Sequence, residues 1–278
     1  MSVNGYDGSN LIEYASRTLV DAVPTANSTR AVSSGGVYDA IDDASLSNRY
    51  LKSINLGTSY TTELKEDIQS GKFEKAIVGG YLKINGHRYD FAHPDYFLHS
   101  GDTRCTTHHM VVVPQWINVQ GKMNSTTTTT GGYPGSDFKT GNNSNTALAE
   151  ITAIIEADFG AENILHYREY FETAVTDGKP SGGAYVDAYI ELMNERMVYG
   201  NPVFTVANDG TNIPTVHTTS KTQLELFAKR PDLISNRGDW WLCGPVSARA
   251  FALVGKDGSA AYSNASNSRD IRPCFAIC

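Results

Sequence analysis

No stretch of this chain is rich in lysine or arginine, and the formal net charge is −7. A nucleic acid or an anionic membrane surface needs a basic footprint, so neither is expected as the main partner. No apolar run approaches the roughly 18–20 residues of a membrane span, which argues against membrane insertion. The first residues, MSVNGYDGSN, carry neither a basic segment nor an apolar one. No secretory signal is expected, and synthesis in a reducing cytoplasm follows. Cysteine is scarce: Cys105, Cys243, Cys274 and Cys278 are scattered, unlike a disulfide framework, and read as free thiols. Hydrophobic residues make up 40% of the chain and charged ones only 19%, enough apolar material for a true core.

Several catalytic signatures are missing. There is no CxxC, no H-x-x-x-H, no G-x-S-x-G elbow and no phosphate-cradling glycine loop. His87, His93, His99, His108 and His109 form the densest group of metal-ligating side chains, with Asp102 and Cys105 nearby. His108 and His109 are adjacent, so on a strand they point to opposite faces and cannot share one ion without distortion. They are read as structural, and neither a metal nor any other cofactor is expected. Cys274 and Cys278 are four apart and share a strand face. A nucleophilic pair would want a base and an electropositive setting, whereas Phe275 and Ile277 flank this one. The chain is expected to bind and not to catalyse.

The first fifty residues differ from the rest. Asn10 and Glu13 fit a capping pattern, and Leu11, Ala15, Leu19 and Ala22 follow at helical spacing until Pro24. Val37, Ile41 and Ala44 mark a second short helix. Both stripes are too narrow to enclose a core. Such helices either dock on a partner or on copies of themselves, or pack back on their own domain.

Beyond them, Thr61 to Ile68 reads as a helix stopped at Ser70-Gly71. Ile77-Val78 and Tyr81 to Ile84 read as strand, Asn85-Gly86 as a tight hairpin turn, and His87 to Ala92 as the return strand. His108 to Val113 reads as a buried strand ended by Pro114. Residues 118–146, with five successive threonines from Thr126 to Thr130, are expected to form an exposed surface loop. Asn145 is the expected cap of a helix carrying Leu148, Ile151, Ile155 and Phe159 on one face and stopping at Gly160. Arg168 to Val175 suggests a short helix, Ile190 to Tyr199 has an ambiguous period, and residues 200–220 read as a polar loop. The sum is an α+β fold, loop-rich and centred on a small twisted antiparallel sheet.

The last forty residues, 239–278, open on Trp240-Trp241 and close on the apolar run Phe275 to Ile277, with a polar middle almost free of large aliphatics after Val254. Arg249 to Val254 has strand periodicity, Lys256-Asp257-Gly258-Ser259 supplies a turn, and Ala260 to Tyr262 pairs back. Ser263 to Asp270 is expected as an exposed loop and Ile271 to Ile277 as a closing strand. The two tryptophans are read as frame residues, with the option that one of them floors a site. Tyr, Ser, Asn and Gly between the framed ends are the mixture that antibody paratopes favour.

Trp240-Trp241-Leu242, Ala250-Phe251-Ala252, Gly255-x-Asp257-Gly258, Asn264 to Ser268 and Arg272-Pro273-x-Phe275 resemble the closing segment of C-type-lectin-like domains in bacteriophage proteins. The variable proteins of diversity-generating retroelements, such as phage tropism determinants, are similar. The resemblance covers roughly residues 60–278 and implies a C-type-lectin-like domain over 56–278. It also implies an N-terminal attachment and oligomerisation segment over 1–55, like the leader of a tail-fibre or head-fibre protein. It further implies a virion protein that attaches to a host cell-surface receptor, protein or glycan, and assembles as a homotrimer alongside other virion proteins. Receptor contacts are then expected from Cys243, Gly244, Arg249, Leu253, Lys256, Asp257, Tyr262, Asn264, Asn267, Arg269 and Asp270. The calcium-binding lectin triplets Glu-Pro-Asn and Gln-Pro-Asp are absent, as is Trp-Asn-Asp, so a calcium-free site is expected. Cys243-Gly244 and Arg269-Asp270 depart from the residues that relatives commonly carry there. A structural decoration protein of the virion, with no receptor role, is the alternative reading.

Overall fold

The computed structural model describes Val20–Asp21, Ala31–Val32 and residues 53–115, 117–176, 179–205 and 222–278; side chains at 174–181 are not described. The chain divides into two units, Met1–Lys52 and Ser53–Cys278. In the first, β1 (Val20–Asp21) pairs in parallel with β2 (Ala31–Val32). The helix expected to run to Ala22 is therefore extended at its β-branched end. The rest of that helix and the one at Val37 to Ala44 lie outside the described residues.

The second unit is mixed α and β, with more sheet than helix. A six-stranded sheet has the order β10-β15-β6-β5-β4-β3. Its strands are β3 (Ile54–Gly57), β4 (Gly80–Ile84), β5 (His87–Pro94), β6 (Met110–Pro114), β10 (Ile190–Leu192) and β15 (Pro273–Ile277). All neighbours in it are antiparallel except β3 and β4. Asn85 (φ 49°) and Gly86 (φ 88°) both occupy the left-handed region that a two-residue hairpin requires, and they set the register Ile84 opposite His87. Ile77 and Val78 lie in the turn before β4 and not in strand; Gly80 donates to the Ile77 carbonyl, closing that turn.

Helix α1 (Thr62–Gln69) begins as expected, with the Thr61 hydroxyl accepting from the Leu64 N–H. Its Asp67 carboxylate accepts from the backbone N–H groups of Glu74, Lys75 and Ala76, which fixes the path into β4. The long helix α3 (Ala147–Phe159) buries Ala147, Ile151, Ile155 and Phe159. Phe159 lies edge-on to Tyr89 of β5 (4.9 Å) and Phe275 of β15 (5.1 Å), seating α3 on the six-stranded sheet. Each large apolar side chain so buried contributes about 1.5–3 kcal/mol. The expected cap is displaced by one residue: Thr146 precedes the helix, Asn145 donates to the Lys122 carbonyl, and Leu148 is only half-buried. Gly160 (φ 81°) ends the helix as expected.

A second sheet, of order β13-β12-β11-β14-β7, gathers the C-terminal segment. It holds β7 (Gln120–Gly121), β11 (Trp240–Pro245), β12 (Ala250–Val254), β13 (Ala260–Asn264) and β14 (Arg269–Asp270). Trp240 and Trp241 are both fully buried, their indole N–H groups donating to the carbonyls of Ile234 and Gly121. Neither floors a surface. Arg272 is buried between the rings of Trp240 and Phe227 and donates to the carbonyls of Pro114, Leu233 and Ile234. Burial pushes its guanidinium down to about 10, so it stays charged at neutral pH.

Two further expectations are corrected. Arg168 to Val175 is not helical but part of β8 (Tyr167–Thr176), which among the described residues pairs only with β9 (Lys179–Ala188). The pairing brings Tyr170 opposite Tyr185 and Arg168 opposite Asp187, cross-strand partners that no local pattern reveals. Residues 118–146 are not an exposed loop either. They contribute β7, the short helix α2 (Asp137–Thr140) and a buried cluster of Met123, Tyr133 and Phe138. Tyr133 and Lys139 both bond the buried Glu191 carboxylate of β10, tying the segment to the six-stranded sheet. Ile190 to Tyr199 resolves into β10 and the short helix α4 (Glu195–Tyr199). Of the polar loop expected over 200–220, residues 206–220 lie outside the described ones.

Candidate functional site: one end of the C-terminal sheet

The register of β12 against β13 sorts the expected contact residues. Ala250 pairs with Asn264 and Val254 with Ala260. The connection 246–249 and the turn 265–268 therefore lie at one end of the sheet, and the turn 256–259 lies at the other. A five-residue strand separates the ends by about 13 Å. Arg249, Asn264 and Asn267 are exposed at the first end, with Arg269 half-buried beside them. Lys256 and Asp257 are exposed at the opposite end. There the Asp257 carboxylate accepts from the Ser259 hydroxyl and N–H, which hold it below the usual carboxylate range, the hydroxyl foremost. Tyr262 stands midway along edge strand β13, 56% exposed, with Phe204 edge-on to it at 5.1 Å.

Four expected contact residues are buried: Cys243, Gly244, Leu253 and Asp270. Cys243 is framed by the backbone, its N–H donating to the Met193 carbonyl, and burial pushes its thiol well up. A Cβ at Gly244 would come within 2.4 Å of the Thr205 Cγ2, so any side chain there would have to displace Thr205. Leu253 points inward with Trp241, its partner across β11. Asp270 accepts from the Gln120 amide, and burial raises its carboxyl. The polar character of Asp270 suggested a surface residue; the parallel pairing of β14 with β11 carries it inside instead.

The exposed end is wider than the C-terminal segment. The threonine run lies against it: Asn124 N–H donates to the Ala265 carbonyl, Thr129 N–H to Ala248, and Ala265 N–H to Arg249. The Thr127 and Ser266 hydroxyls lie 2.8 Å apart, and the Thr129 hydroxyl donates to the Ser247 carbonyl. Thr126, Thr127 and Thr130 are exposed here next to Arg249, Asn264 and Asn267. Sequence reading missed them as site residues, because a threonine run signals only a solvated loop until its partner strand is known. The 265–268 turn is also fixed from within. The Ser263 hydroxyl accepts from both Asn267 Nδ2 (2.9 Å) and Arg269 Nη2 (3.1 Å).

The buried Glu195 carboxylate organises the loop that carries Phe204. It accepts from the N–H groups of Val203, Phe204 and Thr205 and from the Thr205 hydroxyl at 2.6 Å. Glu195→Ala is expected to lower the unfolding free energy by about 2–3 kcal/mol, because several buried donors lose a charged acceptor together. A urea titration followed by circular dichroism measures it, and an unchanged midpoint would show that the loop does not depend on this carboxylate.

His87 lies apart from His108 and His109, which both meet Asp95. His87 Nδ1 and the Tyr89 hydroxyl both contact the Asp158 carboxylate, at 2.8 and 2.5 Å. His108 Nδ1 meets Asp95 at 2.8 Å, and the buried His109 accepts from the Phe97 N–H. Among the described residues no three His, Cys, Asp or Glu side chains are grouped to hold a metal ion. Among them, too, no helix is long and apolar enough to cross a membrane. No family model, no curated protein and no solved structure matches this chain.

Proposed function

We propose that the chain is a receptor-binding or adhesion protein of a phage virion, with the exposed end of its C-terminal sheet as the receptor surface. One observation carries the reading. Segments 124–130, 246–249 and 264–269 are joined there by backbone hydrogen bonds. Exposed side chains such as Arg249 and Asn264 are therefore free to change without disturbing the frame, unlike Thr127 and Asn267, which bond across the end. Such a surface suits a protein whose partner varies. Tyr, Asn, Thr and Arg on a rigid support provide adaptable contacts at low entropic cost. The C-type-lectin-like arrangement is part of this proposal. A mainly antiparallel sheet that takes the strand β15 into its interior, a second small sheet and few helices support it. In this reading the protein is not an enzyme and uses no cofactor. Residues 1–55 attach it to other virion proteins, and a homotrimer adds avidity to weak single contacts.

The test is host adsorption by particles carrying the double variant Arg249→Glu, Asn264→Asp. Both positions are exposed, so assembly and particle stability are expected to persist. Adsorption is expected to fall at least about tenfold, the equivalent of losing one good polar contact. Unchanged adsorption would reject the receptor reading, and unchanged adsorption with fragile particles would identify a decoration protein.

A further inference from the structure

Strand β13 closes one side of the second sheet and, among the described residues, pairs only with β12. At the two ends of that ladder the Ala265 N–H donates to the Arg249 carbonyl and the Gly255 N–H to the Ser259 carbonyl. Residues 259, 261, 263 and 265 therefore turn their backbone groups toward β12. By the period of two, Ala260 and Tyr262 turn theirs outward. Among the described residues no hydrogen bond reaches the N–H or C=O of either. We infer that this edge takes an added strand, an extended segment of a protein receptor, which pairs with Ala260 and Tyr262. The inference deepens the receptor reading by making the receptor a protein and not a glycan, and it rests on that reading.

Hydrogen-bonding geometry selects the occupant. The two outward residues repeat a donor and an acceptor about 7 Å apart, the spacing at which another extended backbone repeats its own. Exposed edges are usually blunted by charge, proline or a bulge. Strand β13 reads Ala-Ala-Tyr-Ser-Asn, without a charge, a proline or a register shift against β12. The other sheet edges differ. Strand β7 is two residues long and runs against α3, where a Cβ on Gly121 would come within 2.6 Å of the Ala147 Cβ. In β10 the Leu192 N–H already donates to the Tyr133 hydroxyl, and β3 shifts register between Asn55 and Gly57.

The flank of this edge is apolar and fixed in advance. Among the described residues the exposed large apolar side chains are Ile54, Val203 and Tyr262. Phe204, the neighbour of Val203, packs edge-on against Tyr262. The Glu195 carboxylate accepts from the N–H groups of Val203 and Phe204, so this wall stands before a partner arrives. An added strand lays an apolar side chain beside Tyr262. Asn264 ends β13 within the receptor surface, so the edge continues that surface. A second copy of this chain is the poorer occupant. Twofold antiparallel pairing would set the Asn264 end of one copy beside the Ala260 end of the other, and their receptor surfaces would face opposite ways. Copies that bind one host surface together must face the same way.

The experiment joins amide exchange on the full chain to particle adsorption. By NMR, the Ala260 and Tyr262 amides of the free chain are expected to exchange much faster than that of Ala261, which faces β12. Protection of both at the monomer mass would mean that the chain covers its own edge. Protection only at a dimer mass would mean that a second copy does, and either result overturns the inference. Ala260→Pro removes one outward N–H and sets a ring against an incoming strand, while the ladder to β12 persists. Adsorption is expected to fall at least about tenfold, with a thermal midpoint near that of the wild type. Should that variant be destabilised, Tyr262→Lys, a charge at an exposed edge position, is expected to give the same loss. Host cells treated with protease are expected to lose adsorption and cells treated with periodate to keep it. The reverse, or full adsorption by a stable edge variant, would overturn the inference. If the Arg249→Glu, Asn264→Asp variant still loses adsorption in that case, the edge alone falls. If it too adsorbs fully, the receptor reading falls with it.

Discussion

Arg272→Ala is expected to lower the unfolding free energy by about 3–5 kcal/mol, close to the largest single-residue effects known in small domains. The side chain is fully buried between Trp240 and Phe227, and its loss leaves a cavity against both rings. It also strips donors from the carbonyls of Pro114, Leu233 and Ile234, which join β6 to the segment before β11. Arg272→Lys separates the two contributions. One ammonium at the end of a flexible stem does not span carbonyls that a planar guanidinium bridges, so most of the loss is expected to remain. Tryptophan fluorescence during urea unfolding reads the change, since Trp240 packs on the substituted side chain. A loss below about 1 kcal/mol for the alanine variant would mean that the carbonyls find other donors.

Lys139→Met is expected to cost a similar 3–5 kcal/mol at neutral pH, for a different reason. Glu191 is buried and accepts from Lys139 and the Tyr133 hydroxyl. Removing the ammonium strands a buried carboxylate. Burial already raises the Glu191 carboxyl above its ordinary value of 4.5, and Lys139 opposes that rise. A folded carboxyl with a raised value binds its proton more tightly than the unfolded chain does. Its contribution is most favourable below the unfolded value and is lost as pH climbs through the folded one. Without Lys139 the rise is larger. The stability gap between wild type and variant is therefore expected to be small near pH 4 and to widen toward pH 8. A series of thermal melts across that range measures the trend, and a gap independent of pH would show that Glu191 does not carry it.

Local signals were legible wherever neighbours in sequence are neighbours in space. The Asn85-Gly86 turn, the Thr61 start of α1, the Gly160 stop of α3 and the 256–259 turn are decided by residues within one turn of each other. The apolar ends of the last forty residues likewise became the buried strands β11 and β15. The segment Arg168 to Val175 was misread because its charged and aromatic residues suit a helix and a strand about equally. Its pairing with residues 179–188 decides between them, and that pairing is tertiary. Residues 118–146 were misread for a related reason. A Gly/Ser/Thr/Asn composition describes solvated loops, yet Met123, Tyr133 and Phe138 are enough to anchor this one.

By itself the sequence determined an α+β chain with a real core, no basic footprint, and a polar C-terminal stretch held between apolar ends. It also marked most of the exposed positions on that stretch. The tertiary structure alone decided which of them belong together. Strand register sent Lys256 and Asp257 to the far end of the sheet, turned Leu253 inward and buried Asp270. It brought Thr126, Thr127 and Thr130 from well over a hundred residues away to sit beside Arg249, Asn264 and Asn267. The physical reason lies in the period of two along a strand. Periodicity gives the alternation of faces, but only the neighbouring strands decide which face meets water and which end of the sheet receives another segment.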